Sequence, residues 1–237
     1  MPLEHVKALF FDVFGTVVDW RSSVIAELEE FGRERGVEAD WSQFADDWRD
    51  LYQPSMDAVR RGDREWMPLD TLHRESLITL ISRHNITGLN EEEINHLNKV
   101  WHRLDPWPDA LEGLNRLRTK YILATLSNGN ISLLVNMAKR AGLPWDAVLG
   151  AEPARAYKPM PQCYLRNARF LDLEPTQCML VAAHNDDLEA ARTLGFRTAF
   201  VCRPTEYGPK QDKDQAAESD WDIVTDTFVD TAASLGC

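Results

Sequence analysis

The first apolar stretch of the chain, Val6 to Val13, ends in a carboxylate at Asp12 and a glycine at Gly15. A short apolar run bounded by a turn residue predicts a strand buried on both faces, with Asp12 at its carboxyl end. The next strong run, Tyr121 to Leu126, comes more than a hundred residues later, whereas a bare strand–helix–strand unit takes roughly 30 residues. Across that interval apolar residues recur at spacings of three and four, as in Val24, Leu28 and Phe31, in Leu69, Leu72 and Leu80, and in Ile94, Leu97 and Trp101. This is the periodicity of amphipathic helices. The pattern predicts an all-helical insert, a cap over 20–106, in a core made of 1–19 and 107–237.

Beyond residue 108 the pattern alternates. Helices are predicted over 109–119, 131–141, 161–171 and 188–194, with Gly142 and Gly195 as stops. Strands are predicted over 121–127, 147–149, 179–183 and 198–202. Such alternation implies a doubly wound, parallel, Rossmann-like α/β sheet. The stretch 203–220 is polar and rich in turn residues, which reads as a surface loop, and 223–224 as a last edge strand before a terminal helix. Five of the eight tryptophans (Trp20, Trp41, Trp48, Trp66 and Trp101) fall in the insert. A small helical body needs such side chains for its core, which leaves a minority to face a substrate.

Composition changes the picture in two places. The net charge of −12 argues against a nucleic-acid partner, and any anionic substrate must be drawn in by local cations. The four cysteines lack Cys-x-x-Cys spacing, so neither a zinc site nor a disulfide framework is expected, and reduced thiols in a cytoplasmic protein are. No run approaches ~18 uninterrupted apolar residues and the first residues lack a signal pattern, so neither membrane insertion nor secretion is expected. Hydrophobic content of 44% and charged content of 27% are ordinary.

In an open parallel sheet, ligands sit outside the carboxyl ends of strands where the strand order reverses. Asp12 is placed to meet substrate there, although Asp-x-x-Gly alone also reads as a turn or a helix cap. Three later stretches end predicted strands or interrupt the helical pattern with polar residues: Leu126-Ser127-Asn128-Gly129-Asn130, Tyr157-Lys158-Pro159 and Ala182-Ala183-His184-Asn185-Asp186-Asp187. Phe10-Phe11-Asp12-Val13-Phe14-Gly15-Thr16 resembles the nucleophile loop of the haloacid dehalogenase superfamily, and the three stretches resemble its other active-site loops in family order. Phosphate-transferring members carry a second aspartate, a general acid, where this chain has Phe14. A phosphate ester's oxygen must be protonated as it leaves, whereas a halide leaves as a stable anion. The branch with an aromatic residue there is the L-2-haloacid dehalogenases, which the chain resembles over nearly its whole length.

That resemblance implies hydrolysis of short 2-haloalkanoic acids (haloacetate, L-2-halopropionate) to 2-hydroxy acids, with inversion, through an ester on Asp12. It implies a small haloacid and water as partners, no metal or other cofactor, and often a homodimer. Lys158 matches a lysine that pairs with the nucleophile, and Thr16 adds a hydroxyl near it. Ser127 and Asn128 stand where the substrate carboxylate and the halide are held, and Arg49 resembles an arginine that receives the halide. Arg49 also reads as a surface arginine paired with Asp46, Asp47 and Asp50. Tyr164 matches a tyrosine near the site, and equally reads as a half-buried helix aromatic. Asp187 matches an aspartate that orients the lysine or polarises the hydrolytic water.

The last loop departs from the common Ser-Ser-Asn. His184 replaces the asparagine, and a neutral imidazole there could accept the proton of the attacking water. Ala-Ala-His loops occur in relatives that tolerate small haloacetates, including fluoroacetate, and Phe14 with the tryptophans suggests a tight pocket. Two other functions fit the same residues: a magnesium-dependent phosphatase using Asp12, Asp186 and Asp187, and a catalytically silent binding protein on this scaffold.

Overall fold

The computed structural model describes residues 3–209 and 211–237. The first apolar stretch forms β1 (Ala8–Phe11), whose four side chains are all fully buried. The chain then turns at Gly15, where φ is +83°, a conformation that favours glycine. It leaves the sheet through β2 (Val18–Asp19) into α1 (Trp20–Arg35), α2 (Trp41–Asp50), α3 (Tyr52–Arg60), α4 (Leu69–Arg83) and α5 (Glu91–Asn98). It returns at β3 (Asp105–Pro106), which pairs antiparallel with β2. Helices α1 and α2 are capped by Asp19 and Asp40, and α5 carries a capping box of Asn90 and Glu93.

The helices between β2 and β3 pack around aromatic rings. Trp101 stacks on Trp20 at 6.2 Å and on His73 at 4.5 Å, and takes Trp48 edge-on at 5.4 Å. Phe14 of the nucleophile loop meets Trp101 at 5.9 Å, which ties these helices to the sheet. Burial pushes the His73 pKa down to about 3, so its ring is neutral and packs as an aromatic. Trp101→Ala is expected to lower stability by ~3–5 kcal/mol, read from the midpoint of denaturant unfolding. A loss under about 1 kcal/mol would show that the stack is not the centre of this core.

The rest of the chain supplies α6 (Ala110–Leu117), β4 (Ile122–Thr125), α7 (Ile131–Ala141), α8 (Ala151–Ala154), α9 (Pro161–Phe170), β5 (Cys178–Ala182), α10 (Asn185–Thr193), β6 (Arg197–Val201), β7 (Ile223–Thr225) and α11 (Phe228–Ser234). The sheet order is β4-β1-β5-β6-β7, every pair parallel. Phe11 pairs with Thr125 on one side and Val181 on the other. Three adjacent strands therefore end at one level, and the chain moves to opposite sides of β1, which makes their carboxyl ends the switch point.

Two expectations fail. The strand expected over 147–149 does not form: Ala147 makes an isolated bridge to Ala124, and at Leu149 the Thr125 hydroxyl bonds both the C=O and N–H, at 2.7 and 2.9 Å, in place of ladder bonds. The polar stretch 203–220 is not simply a surface loop: Arg203, Glu206 and Gln211 are buried. Among the described residues, no helix is long and apolar enough to cross a membrane.

Candidate active site

Asp12 continues β1 by donating its N–H to the Val181 carbonyl at 3.1 Å, which aims its side chain out of the sheet's carboxyl end. Both carboxylate oxygens are engaged. Oδ1 accepts from Lys158 Nζ at 2.8 Å, and Oδ2 accepts from the Thr16 hydroxyl at 2.7 Å and His184 Nδ1 at 3.1 Å. Burial alone would raise the Asp12 pKa, but the Lys158 charge and His184 hold it well below the usual carboxylate range. Thr16 in turn accepts the Ala183 N–H at 2.9 Å, which joins the first loop to the last.

Lys158 Nζ bridges Asp12 and Asp187, and Asp187 also accepts the Tyr164 hydroxyl at 2.6 Å. Burial disfavours the ammonium, yet the two carboxylates hold the Lys158 pKa above its ordinary value. The lysine loop is seated by Asn128, whose Oδ1 accepts the Lys158 backbone N–H at 2.8 Å. Ser127 is fully buried, and its hydroxyl accepts the Gly129 N–H at 3.1 Å.

His184 sits between two carboxylates. Nδ1 faces Asp12, and Nε2 faces both oxygens of Glu206, at 2.9 and 3.1 Å. Burial opposes a charged ring, but Glu206 and the bonds to both acids raise the pKa well above its ordinary value. In the free protein both nitrogens donate. The neutral imidazole expected from sequence is therefore not the resting form.

Glu206 is the residue that the sequence reading missed. Its carboxylate has no exposed surface, accepts from Trp20 Nε1 at 3.1 Å and lies 4.0 Å from Arg49 Nη2. A Cβ on Gly15 would stand 2.0 Å from Glu206 Oε1, so this approach needs glycine in the nucleophile loop. Nothing local in Thr205-Glu206-Tyr207 sets it apart from the polar residues around it.

Arg49 is not a surface arginine. Asp46 pairs with Arg21 and Asp47 with His84, both at 2.7 Å, which leaves Arg49 to turn inward over the rings of Tyr52, at 4.3 Å, and Trp20, at 5.3 Å. Among the described residues its Nη1 is buried without a hydrogen-bond partner, a donor aimed at nothing in the protein.

Of the ten expected site residues, all but Thr16 and Ser127 line one cavity of about 300 Å³. Tyr52 and Tyr207 line it as well, and none of the described tryptophans does. The aromatic wall expected from Phe14 and tryptophans is thus made by Phe14 and three tyrosines, Tyr52, Tyr164 and Tyr207. Among the described residues no group of three or more His, Cys, Asp or Glu is arranged to hold a metal. The Asp186 carboxylate accepts the Asp187 N–H at 2.8 Å, and Asp12 and Asp187 already share the Lys158 ammonium. All four cysteines are free, and burial pushes the Cys163 and Cys178 thiols up to about 12, which leaves them unreactive at neutral pH.

Residues 6–195 match the haloacid dehalogenase-like hydrolase family. A solved defluorinating L-2-haloacid dehalogenase is 47% identical, with a TM-score of 0.96 over 98% of this chain and 96% of that one. A second solved L-2-haloacid dehalogenase is 48% identical, with a TM-score of 0.95 over 98% and 99% of the two chains. The (S)-2-haloacid dehalogenase 4A of Burkholderia cepacia is 29% identical, covering 86% of this chain and 88% of its own. With a family match across most of its length and near-complete superposition at close to half identity, this chain belongs to the haloacid dehalogenase-like hydrolases and, within them, to the L-2-haloacid dehalogenase family.

Proposed function

We propose that the protein hydrolyses short 2-haloalkanoic acids, haloacetates and L-2-halopropionates, to 2-hydroxy acids. One observation carries the reading. A buried carboxylate kept ionised by Lys158 faces a cavity that also receives a guanidinium with an unpaired donor, and a phosphatase's general acid is replaced by Phe14.

Asp12 Oδ1 carries the single bond from Lys158, whereas Oδ2 is held by Thr16 and His184, so Oδ1 attacks the carbon bearing the halogen. The carbon–halogen bond breaks as the carbon–oxygen bond forms, the halide departs toward Arg49, and the centre inverts. Asn128 and neighbouring N–H groups hold the substrate carboxylate. Water then adds to the Asp12 carboxyl carbon, and the bond between that carbon and Oδ1 breaks, so the carbon–oxygen bond made in the first half stays with the product and the water oxygen stays in the carboxylate. One proton of the attacking water passes to His184, held by Glu206, and the other goes to the departing alkoxide oxygen, which leaves as the 2-hydroxy acid and restores the Asp12 carboxylate. Before that step His184 must lose the proton it carries at rest. Asp187 and Tyr164 keep Lys158 in place throughout.

A phosphatase reading has less support, because Phe14 supplies no acid and Lys158 already bridges the carboxylates that magnesium would need. The helices between β2 and β3 act in this proposal as a cap that closes the cavity, and a cytoplasmic homodimer is the assembly to test by light scattering. The deciding experiment is halide release from chloroacetate, fluoroacetate and each enantiomer of 2-chloropropionate, with a chelator present. Release is expected, with the L enantiomer preferred and no effect of the chelator. Fluoride release would extend the class to fluoroacetate, the substrate suggested by likeness to the defluorinating relative. Silence on all four, with turnover of a phosphate ester on adding magnesium, would replace the reading by the phosphatase.

A further inference from the structure

The segment that delivers Glu206 contains neither helix nor strand from residue 203 to 209, yet it places a fully buried carboxylate against His184. Something must hold it. Arg203 is buried and its guanidinium reaches two other parts of the chain. Nε donates to the Thr16 carbonyl at 3.0 Å, and Nη1 and Nη2 form a fork on Asp109, at 2.8 and 3.0 Å. Asp109 also accepts the Phe228 N–H at 2.7 Å, which fixes it to the start of α11. The guanidinium packs over the Phe228 ring at 4.9 Å and the Trp107 ring at 5.5 Å, and the Trp107 indole N–H donates to the Gly15 carbonyl at 2.7 Å. Two consecutive carbonyls of the nucleophile loop are thus held by one assembly.

The other end of the segment is tied to the same residue. The Glu206 N–H donates to the Arg203 carbonyl at 3.2 Å. The Gln211 side chain donates to that carbonyl at 3.0 Å and accepts the Tyr207 N–H at 3.0 Å. Among the described residues, the charged and titratable groups that face the His184–Glu206 pair are Asp12, Arg49 and Tyr207. Arg203 touches neither member of the pair through its side chain. A buried ion pair contributes little net stability compared with apolar packing of the same volume, so stability alone is a weak account of this one.

Resting on the proposed function, we infer that Arg203, with Asp109, is a positioning residue for the second half of the reaction. It sets the distance between the ester on Asp12 and the His184–Glu206 pair that activates water. It has no part in carbon–halogen cleavage, which Asp12, Lys158 and Arg49 carry.

The test is Arg203→Lys and Asp109→Asn, measured with chloroacetate beside Glu206→Gln. Lysine keeps the charge but cannot make the fork and the third bond together. Slower hydrolysis of a covalent intermediate lowers kcat and KM by the same factor and leaves kcat/KM unchanged. A shift on the order of 1 Å in a catalytic group can cost ~10²-fold, so a fall of roughly 10- to 100-fold in both is expected. The carboxymethyl ester should accumulate, visible as a mass increase of the intact protein. The burst of chloride in the first turnover counts folded, alkylation-competent molecules, so a poorly folding variant is still read. If both variants lose kcat with KM unchanged and no ester, while Glu206→Gln traps ester, Arg203 holds only the fold and the inference falls. If Glu206→Gln itself traps no ester, the pair is not the water-activating group, and that reading falls with it.

Discussion

Asp12→Asn is expected to abolish halide release, with a loss on the order of 10⁶-fold, the scale seen when a catalytic nucleophile is removed. At ~1.4 kcal/mol per decade this is roughly 8 kcal/mol of transition-state stabilisation. The amide keeps the shape of the carboxyl group but has no anion to attack carbon. No other group can take over: Asp187 is engaged by Lys158 and Tyr164, and Glu206 by His184 and Trp20. Lys158 keeps Asp187 as a partner, so the variant should fold. Its thermal midpoint should still rise on adding chloroacetate, because binding by Arg49 and Asn128 does not require the nucleophile. Halide release within about 100-fold of wild type, in a variant shown free of wild-type protein, would remove Asp12 from the chemistry.

The second large effect falls on the other half of the reaction. Glu206→Gln and His184→Asn should release halide in the first turnover and then stall, with steady turnover reduced ~10²- to 10⁴-fold, the usual contribution of a general base. The pH dependence carries the sign. His184 is held protonated in the free enzyme by Glu206 and Asp12, and a protonated ring cannot accept a proton from water. Turnover limited by hydrolysis should therefore rise with pH as His184 loses its proton. Esterification removes the Asp12 charge, so kcat should show this rise at lower pH than the free-enzyme titration. Glu206→Gln removes the second anion and should move it lower again.

Stability runs the other way. A pKa raised by folding stabilises the protein below the unfolded value, and that contribution is lost as pH climbs through the folded value. Loss of the His184 proton in the free enzyme, at higher pH than the rise in kcat, should thus lower the thermal midpoint. Turnover flat from about pH 6 to 9, with no ester trapped in either variant, would leave His184 a structural cation.

Much of this protein was readable along the chain because the determining physics is local. Val6 to Val13 has the apolar run of a buried strand, the helical insert has its spacing of three and four, and the loops bearing Asp12, Asn128, Lys158 and Asp187 end or interrupt those patterns. Strand ends in a parallel sheet converge by topology, so reading the strands already gathered these residues. The substitution of Phe14 for an acid is likewise a statement about one position. What only the tertiary structure decided depends on partners far apart in sequence. Arg49 could have paired with Asp46 or Asp47, and faces the cavity because Arg21 and His84 took those acids. His184 reads as a neutral base until Glu206, 22 residues on, is brought against it. Glu206 itself lies in a stretch whose polarity reads as surface, and meets Trp20 across a separation of 186 residues. A charged side chain is buried only where other groups replace its water, and a linear pattern does not record which distant groups will do so.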